Sequence, residues 1–418
     1  MQLGVIADDF TGATDIASFL VENGVRTIQL NGTPEGNIEF DADAVVISLK
    51  SRSCPPMQAV NDSLTALQWL QKQGCKQFYF KYCSTFDSTA QGNIGPVTDA
   101  LLDALNEDFT VVCPALPVNG RTVFNGHLFV WGELLNESGM KDHPITPMTN
   151  SNLLQLMNDQ SQGQTGLVNY EVIEQGSAKI IESFAHHKKQ EKRYVVVDAF
   201  KTDHLDEIGK AVHSLKLVTG GSGLAAGMAK NITRQTQASN DAHMAGYPDK
   251  APTVILSGSC SQMTNKQVSH YCKKAPNMAI DIEQCLHRKD YDEEIFSWVK
   301  NNMDGKLAPL IYATTSAQRL KSIQQEFGVD MTSQAVEILF SRLAEKLYSY
   351  GVRNFIVAGG ETSGVVAQSL NLDGFYIGPQ IAPGVPWVKA INGDLSMALK
   401  SGNFGDEPFF TMAQSYLP

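Results

Sequence analysis

The chain has 418 residues, 43% of them hydrophobic and 18% charged, with a formal net charge of −11. That length exceeds what one ordinary core organises, so two domains are expected. The negative charge argues against nucleic acid or an anionic membrane as a partner. No apolar run reaches the roughly 20 residues of a membrane helix. The N-terminus has no basic segment, and Asp8–Asp9 interrupts its apolar start, so it does not read as an export signal. The seven cysteines are scattered with no C-x-x-C pair, which predicts free thiols and a cytoplasmic setting.

In chain order, residues 3–7 form an apolar strand and 16–22 carry helical spacing. A strand at 44–49 and an amphipathic helix at 59–73 follow. Further strands are expected at 77–82, 109–113, 194–198 and 215–219. This alternation predicts an α/β domain over residues 1–233. The polar stretch 234–250, RQTQASNDAHMAGYPDK, has no periodicity and reads as a linker. A second α/β domain is expected over 251–418, with strands at 253–256, 310–313 and 354–357 and a long helix at 333–350. The expected fold is therefore two α/β domains. Each is a mostly parallel sheet flanked by helices, and the active site is expected in the cleft between them.

Ligands of open α/β sheets bind at the carboxyl ends of strands. VIADDFTGATD ends its strand on Asp8 and Asp9. A helix cap explains one of these carboxylates but not both. LKSRS places Arg52 after the next strand, where its planar fork suits a carboxylate. FKYCSTFDSTAQGNIG brings Lys81, Ser84, Asp87 and Ser88 to a strand end, fit for the hydroxyls and carboxylate of a polyol acid. Cys83 has no nearby histidine to make it a nucleophile. PALPVNGR sets Arg121 after an Asn-Gly turn, a further positive charge for an anion. VTGGSGL is either an anion-binding turn or a tight strand-to-helix turn.

In the second half, LSGSCS with Ser259 and VAGGETSGVV with Gly360, Glu361, Thr362 and Ser363 each run from strand through small residues into a helix. Two such turns suggest a polyphosphate site, because helix N-termini offer unpaired N–H groups. LKSGNFG adds Gly402. IGPQIAPGVPW reads as a rigid Pro/Gly loop. No P-loop, protein-kinase set, strict dinucleotide fingerprint or hydrolase elbow is present, and no residues have metal-ligand spacing.

Taken in order, IADDFTGA, KYCSTFDST, PALPVNGR, VTGGSGL, LSGSCS, AGGETSG and IAPGVPW resemble the signature segments of the four-carbon acid sugar kinases, nearly end to end. The resemblance implies an N-terminal acid-sugar domain and a C-terminal nucleotide domain, with ATP as co-substrate and Mg²⁺ beside it. It implies transfer to the terminal hydroxyl, O4, of a four-carbon acid. It places Asp8, Arg52, Lys81, Asp87 and Ser88 on the acid side, with Asp9 and Ser84 beside them. Ser259, Gly360, Glu361, Thr362, Ser363 and Gly402 fall on the nucleotide side. Asp8 is the first choice for the base and Asp87 the second, with Arg52 and Lys81 holding the carboxylate. No metal ligand is assigned. The acid is left open among 3-oxo-tetronate, threonate and erythronate. The stretch FKYCSTFDSTAQGNIGPVTDALL and the LKSGNFG ending favour the first. A sugar-acid dehydrogenase or isomerase and a non-catalytic sensor are the rival readings, and a homo-oligomer is left open.

Overall fold

The computed structural model describes residues 2–36, 40–143, 145–236, 242–391 and 393–417. The chain separates into two compact units, Met1–Ala242 and His243–Pro418. Part of the expected linker, residues 237–241, lies outside the described residues. The helix Gly223–Thr236 runs into the start of that polar stretch, and Met244–Gly246 form a 3₁₀ turn near its end. Helix ends follow local hydrogen bonding, which an absence of hydrophobic period does not reveal.

In the N-terminal unit the strands are β1 (Leu3–Ala7), β2 (Thr27–Asn31), β3 (Ala44–Ser48), β4 (Gln77–Lys81) and β5 (Thr110–Cys113). There follow β6 (Arg121–Phe124), β7 (His127–Val130), β8 (Glu133–Leu134), β9 (Gln164–Val168), β10 (Lys192–Val197) and β11 (Leu217–Gly220). Among the described residues, eight of these form one sheet in the order β2–β3–β1–β4–β11–β5–β10–β9, and its pairings are parallel. β1 and β3 are buried along their whole length, as expected of parallel strands covered on both faces. Residues β6, β7 and β8 make a small antiparallel sheet that the sequence did not announce.

The C-terminal unit holds β12 (Thr253–Ser257), β13 (Asn277–Ala279), β14 (Leu310–Tyr312), β15 (Asn354–Ala358), β16 (Gly374–Ala382), β17 (Val385–Ala390) and β18 (Ser396–Lys400). Their order is β13–β14–β12–β15–β18–β17–β16. The first five in that order pair in parallel, and β17 pairs antiparallel with both β18 and β16. Each unit is thus a mostly parallel sheet with helices, as expected. The Pro/Gly loop is corrected: IGPQIAPGVPW lies in the β16–β17 hairpin, which turns at Gly384 with φ 77°. The ladder slips register on either side of Gln380, next to Pro379, which has no N–H to give a regular ladder.

Candidate active site

Strands β3, β1, β4, β11 and β5 are neighbours, so the residues after each meet along one sheet edge. Asp9 caps the helix Phe10–Glu22, accepting from the Gly12 N–H at 2.9 Å and from the Thr11 hydroxyl at 3.2 Å. Asp8 accepts both arms of the Arg52 fork, from Nε at 2.9 Å and Nη2 at 2.8 Å. The same Nη2 lies 2.8 Å from Asp9. One guanidinium therefore ties together the acidic pair that ends β1. Burial pushes the Asp8 carboxyl above its usual range, against the pull of Arg52. Burial acts on Asp9 too, but Arg52, Lys81 and the Gly12 N–H together hold it below that range.

Asn93 fixes the Arg52 loop by donating to the Ser51 and Cys54 carbonyls at 2.7 and 2.8 Å. Lys81 is buried at the end of β4 and donates to the Tyr82 carbonyl at 3.0 Å. Ser84 lies in the turn closed by the Phe86 N–H donating to the Cys83 carbonyl. Phe86 and Asp87 both have positive φ, 64° and 24°, a backbone state that side chains rarely adopt and that clusters at functional sites. Asp87 accepts from the Thr85 hydroxyl at 2.7 Å, and its other oxygen is 3.9 Å from Arg52 Nη1. Ser88 donates to Gln160 at 3.0 Å. A small cavity is lined by Asp8, Arg52, Asp87, Ser88 and Asn93. Burial lifts the Cys83 thiol to about 12, which leaves no thiolate for nucleophilic work near neutral pH.

Asp15, on the buried face of the first helix, accepts from Ser222. Burial raises its carboxyl to about 6. VTGGSGL proves to be a tight packing turn. A Cβ on Gly220, Gly221 or Gly223 would sit 2.3–2.6 Å from the carbonyl oxygens of Cys113, Pro114 and Ala115. Those glycines let β11 and the turn after β5 touch backbone to backbone.

In the C-terminal unit, β12, β15 and β18 bring three small-residue turns together. The Gly258 and Ser259 N–H groups donate to the Ala358 carbonyl at 3.0 and 3.2 Å, and the Gly359 N–H to the Lys400 carbonyl at 2.8 Å. Gly359, at φ 122°, leads into the helix Gly360–Ser369. Thr362 and Ser363 are buried in its first turn, and the Ser363 hydroxyl has no partner. The Gly402 carbonyl accepts from Ser261, Thr264 and Lys400 at 2.6, 2.7 and 2.8 Å, and a Cβ on Gly402 would come within 2.9 Å of the Ser259 hydroxyl. A pocket is lined by Ser259, Gly359, Gly360, Glu361 and Thr362 together with Ile282, Leu320, Ile323 and Val336. Polar turns beside an apolar wall suit phosphates beside a flat base.

The residues read from sequence thus fall into two clusters, one in each unit. Three contributors were missed. Asn93 was invisible because its three backbone acceptors lie about forty positions upstream. Lys400 was passed over as an ordinary charge, though it is fully buried and burial lowers its amine to about 7. The apolar pocket wall looked like any helix face.

Residues 3–228 match the family model described as a sugar-binding N-terminal domain, and residues 254–410 the one described as a nucleotide-binding C-terminal domain. The chain belongs to this family of two-domain proteins, in which a sugar-binding unit is joined to a nucleotide-binding unit. Among its relatives, a protein of Actinobacillus succinogenes named 3-oxo-tetronate kinase is 59% identical over 414 residues, 99% of each chain. One of the same name from Haemophilus influenzae is 58% identical over 413 residues, again 99% of each. Another from Escherichia coli K12 is 55% identical over 386 residues, 92% of this chain and 99% of the relative. A crystal structure from Salmonella typhimurium LT2 superposes with a TM-score of 0.91 at 55% identity, covering 99% of this chain and 98% of that one. One from Haemophilus influenzae superposes with a TM-score of 0.82 at 58% identity, covering 99% of both.

Proposed function

We propose that the chain is an ATP-dependent kinase that phosphorylates the terminal O4 hydroxyl of 3-oxo-tetronate, giving the 4-phosphate. The observation that carries this reading is identity of 59% across 99% of the chain with a protein named for that activity. The two side-chain clusters support it, since one suits an anionic polyol and the other a polyphosphate.

Phosphoryl transfer asks for positioning and charge compensation more than covalent help. Lys81, Ser84 and Ser88 line the acid-sugar edge, and Arg52 holds the Asp8–Asp9 pair in place. Of the two candidate bases the geometry favours Asp87, because both Asp8 oxygens already accept from Arg52. O4 attacks the γ-phosphorus, the bond to the β–γ bridging oxygen breaks, ADP departs, and the O4 proton passes to Asp87. The N–H groups of Gly360, Glu361 and Thr362, with the Ser259 hydroxyl and the Gly402 turn, hold the phosphates. Among the described residues no group of three or more His, Cys, Asp or Glu makes a cation cage. Mg²⁺ would be held mostly by the phosphates and by one or two carboxylates. Glu361 is the carboxylate at the turn. Bound with ATP, Mg²⁺ would supply positive charge to offset that of the phosphates. No helix among the described residues is long and apolar enough to cross a membrane. With free thiols at all seven cysteines, the proposed setting is the cytoplasm.

The test is ADP release with ATP·Mg²⁺ over a panel of 3-oxo-tetronate, threonate and erythronate, with NAD(P) as a control. The 3-oxo acid should react fastest and give a 4-phosphate. Faster turnover of threonate or erythronate would move the substrate within the class. Binding without ADP would indicate a sensor, and NAD(P) reduction a dehydrogenase.

A further inference from the structure

An acid substrate carries a carboxylate that some cation must receive. Arg52, the obvious choice, is already committed. Its Nε and Nη2 donate to Asp8 at 2.9 and 2.8 Å, and Nη2 also lies 2.8 Å from Asp9. Pulling it off this pair would leave the buried Asp8 carboxylate without its two charged hydrogen bonds, which is costly. Lys81 is turned back onto the Tyr82 carbonyl at 3.0 Å. In the loop after β5, Arg121 Nη1 donates to the Asn119 carbonyl, but the Arg121 Nε and the Asn119 Nδ2 are both buried, and neither has a hydrogen-bond partner.

Unpaired buried donors are rare, and each calls for an explanation. These two belong to one short loop, and the loop is held rigidly. Leu116 and Arg121 exchange backbone hydrogen bonds at 2.8 and 3.1 Å, and a 3₁₀ turn over Pro117–Asn119 lies between them. The Trp131 N–H donates to the Gly120 carbonyl at 2.7 Å, and its ring covers Gly120 so closely that a Cβ there would come within 2.4 Å. β5 pairs with β11, and β11 with β4, so the loop follows the same sheet edge as Lys81 and Asp87. Arg121 also lies within electrostatic range of Asp15 and Asp87.

The charges point the same way. Asp8, Asp9, Asp15 and Asp87 are four carboxylates, against the three cations Arg52, Lys81 and Arg121. An incoming carboxylate adds a negative charge to a cluster with no surplus of positive charge. It gains more beside a guanidinium with an open donor, as Arg121 has at Nε, than beside Arg52, which the Asp8–Asp9 pair already holds.

We infer that Arg121, with Asn119, receives the carboxylate of the acid substrate and is the residue that selects acids over neutral sugars. Arg52 is then a positioning residue for Asp8 and Asp9. This assignment rests on the acid-kinase reading. A carboxylate has two oxygens to offer the two open donors, the Arg121 Nε and the Asn119 amide.

The experiment compares wild type with Arg121→Ala, Arg121→Lys and Asn119→Ala. The substrates are 3-oxo-tetronate and its neutral analogue, in which the carboxylate is reduced to a hydroxymethyl group. Arg121→Ala should raise KM for the acid about 10–100-fold, as for loss of a charged hydrogen bond, with KM for ATP unchanged. The preference for acid over neutral analogue should collapse. Arg121→Lys should recover part of it, and Asn119→Ala should lose a smaller share. A merely structural role would weaken acid and neutral substrates alike, and that result, or an unchanged acid KM, overturns the assignment. Calorimetric titration of the acid without ATP makes the same comparison without turnover. A wild type that binds the acid but releases no ADP overturns the kinase reading while Kd still judges Arg121. A wild type that binds no four-carbon acid overturns both.

Discussion

Asp8 and Asp87 look alike in the sequence, each an aspartate just beyond a strand, but their surroundings separate them. Asp8 gives both oxygens to Arg52. Asp87 has one oxygen on Thr85 and the other 3.9 Å from Arg52, on a backbone with positive φ. A base needs a lone pair facing its proton, so Asp87→Asn should lower kcat by about 10²–10⁴ with KM for the acid little changed. Asp8→Asn removes the charged partner of the Arg52 fork and leaves Asp9 at 2.8 Å and Asp87 at 3.9 Å, so its main effect should fall on stability and KM. Initial-rate kinetics on both variants checks this, and the reverse pattern would return the base to Asp8. Sequence reading reached these residues but not their partners. The pairing of Arg52 with two aspartates forty-odd positions upstream follows only from β3 lying beside β1. The idle donors of Asn119 and Arg121 follow only from the turn between them.

At the scale of elements, parallel strands were the legible part. Continuous apolar runs marked β1, β3, β4, β12 and β15, and what lay beyond each run marked the site. Antiparallel pairs were hidden. The β16–β17 hairpin carries proline and glycine enough to read as a loop, and the short strands of the β6–β7–β8 sheet lack a long alternating pattern. The turn after β18 shows a further limit. Lys400 ends that strand fully buried, with Nζ 3.0, 2.9 and 2.8 Å from the Thr264 hydroxyl and the Ser401 and Gly402 carbonyls, and so clamps the turn. Burial lowers its amine from 10.5 to about 7. Between those values the unfolded chain holds the proton and the folded one does not, so the contribution of Lys400 to stability rises with pH across that window. The stability gap between wild type and Lys400→Met, measured by denaturant unfolding, should therefore widen by about 2–3 kcal/mol from pH 7 to pH 9. Comparison with the variant cancels the other titrating groups. A gap independent of pH would mean that the three acceptors keep the ammonium charged despite its burial.

For the whole molecule, the chain divides into two compact units, and the two candidate ligand clusters fall one in each. Each ligand should therefore stabilise through its own unit. A ligand that binds only the folded state at 100 times its Kd adds about 2.7 kcal/mol, which is about 5–10 °C for a unit of this size. Calorimetric scans of wild type should show such a rise with ATP·Mg²⁺ and with 3-oxo-tetronate, each added alone. Gly402→Val crowds Ser259 and Ser261, where a Cβ would already sit 2.9 and 3.0 Å from their side chains. It should abolish the ATP shift and leave the acid shift. Arg121→Ala should do the opposite. Both shifts should persist at pH 7 in Asp87→Asn, since a base is needed for transfer and not for binding. If Gly402→Val loses both shifts while its unliganded melting is unchanged, the two ligands do not occupy independent units. If Arg121→Ala keeps the full acid shift, the carboxylate is received elsewhere, and Lys81 becomes the cation to test.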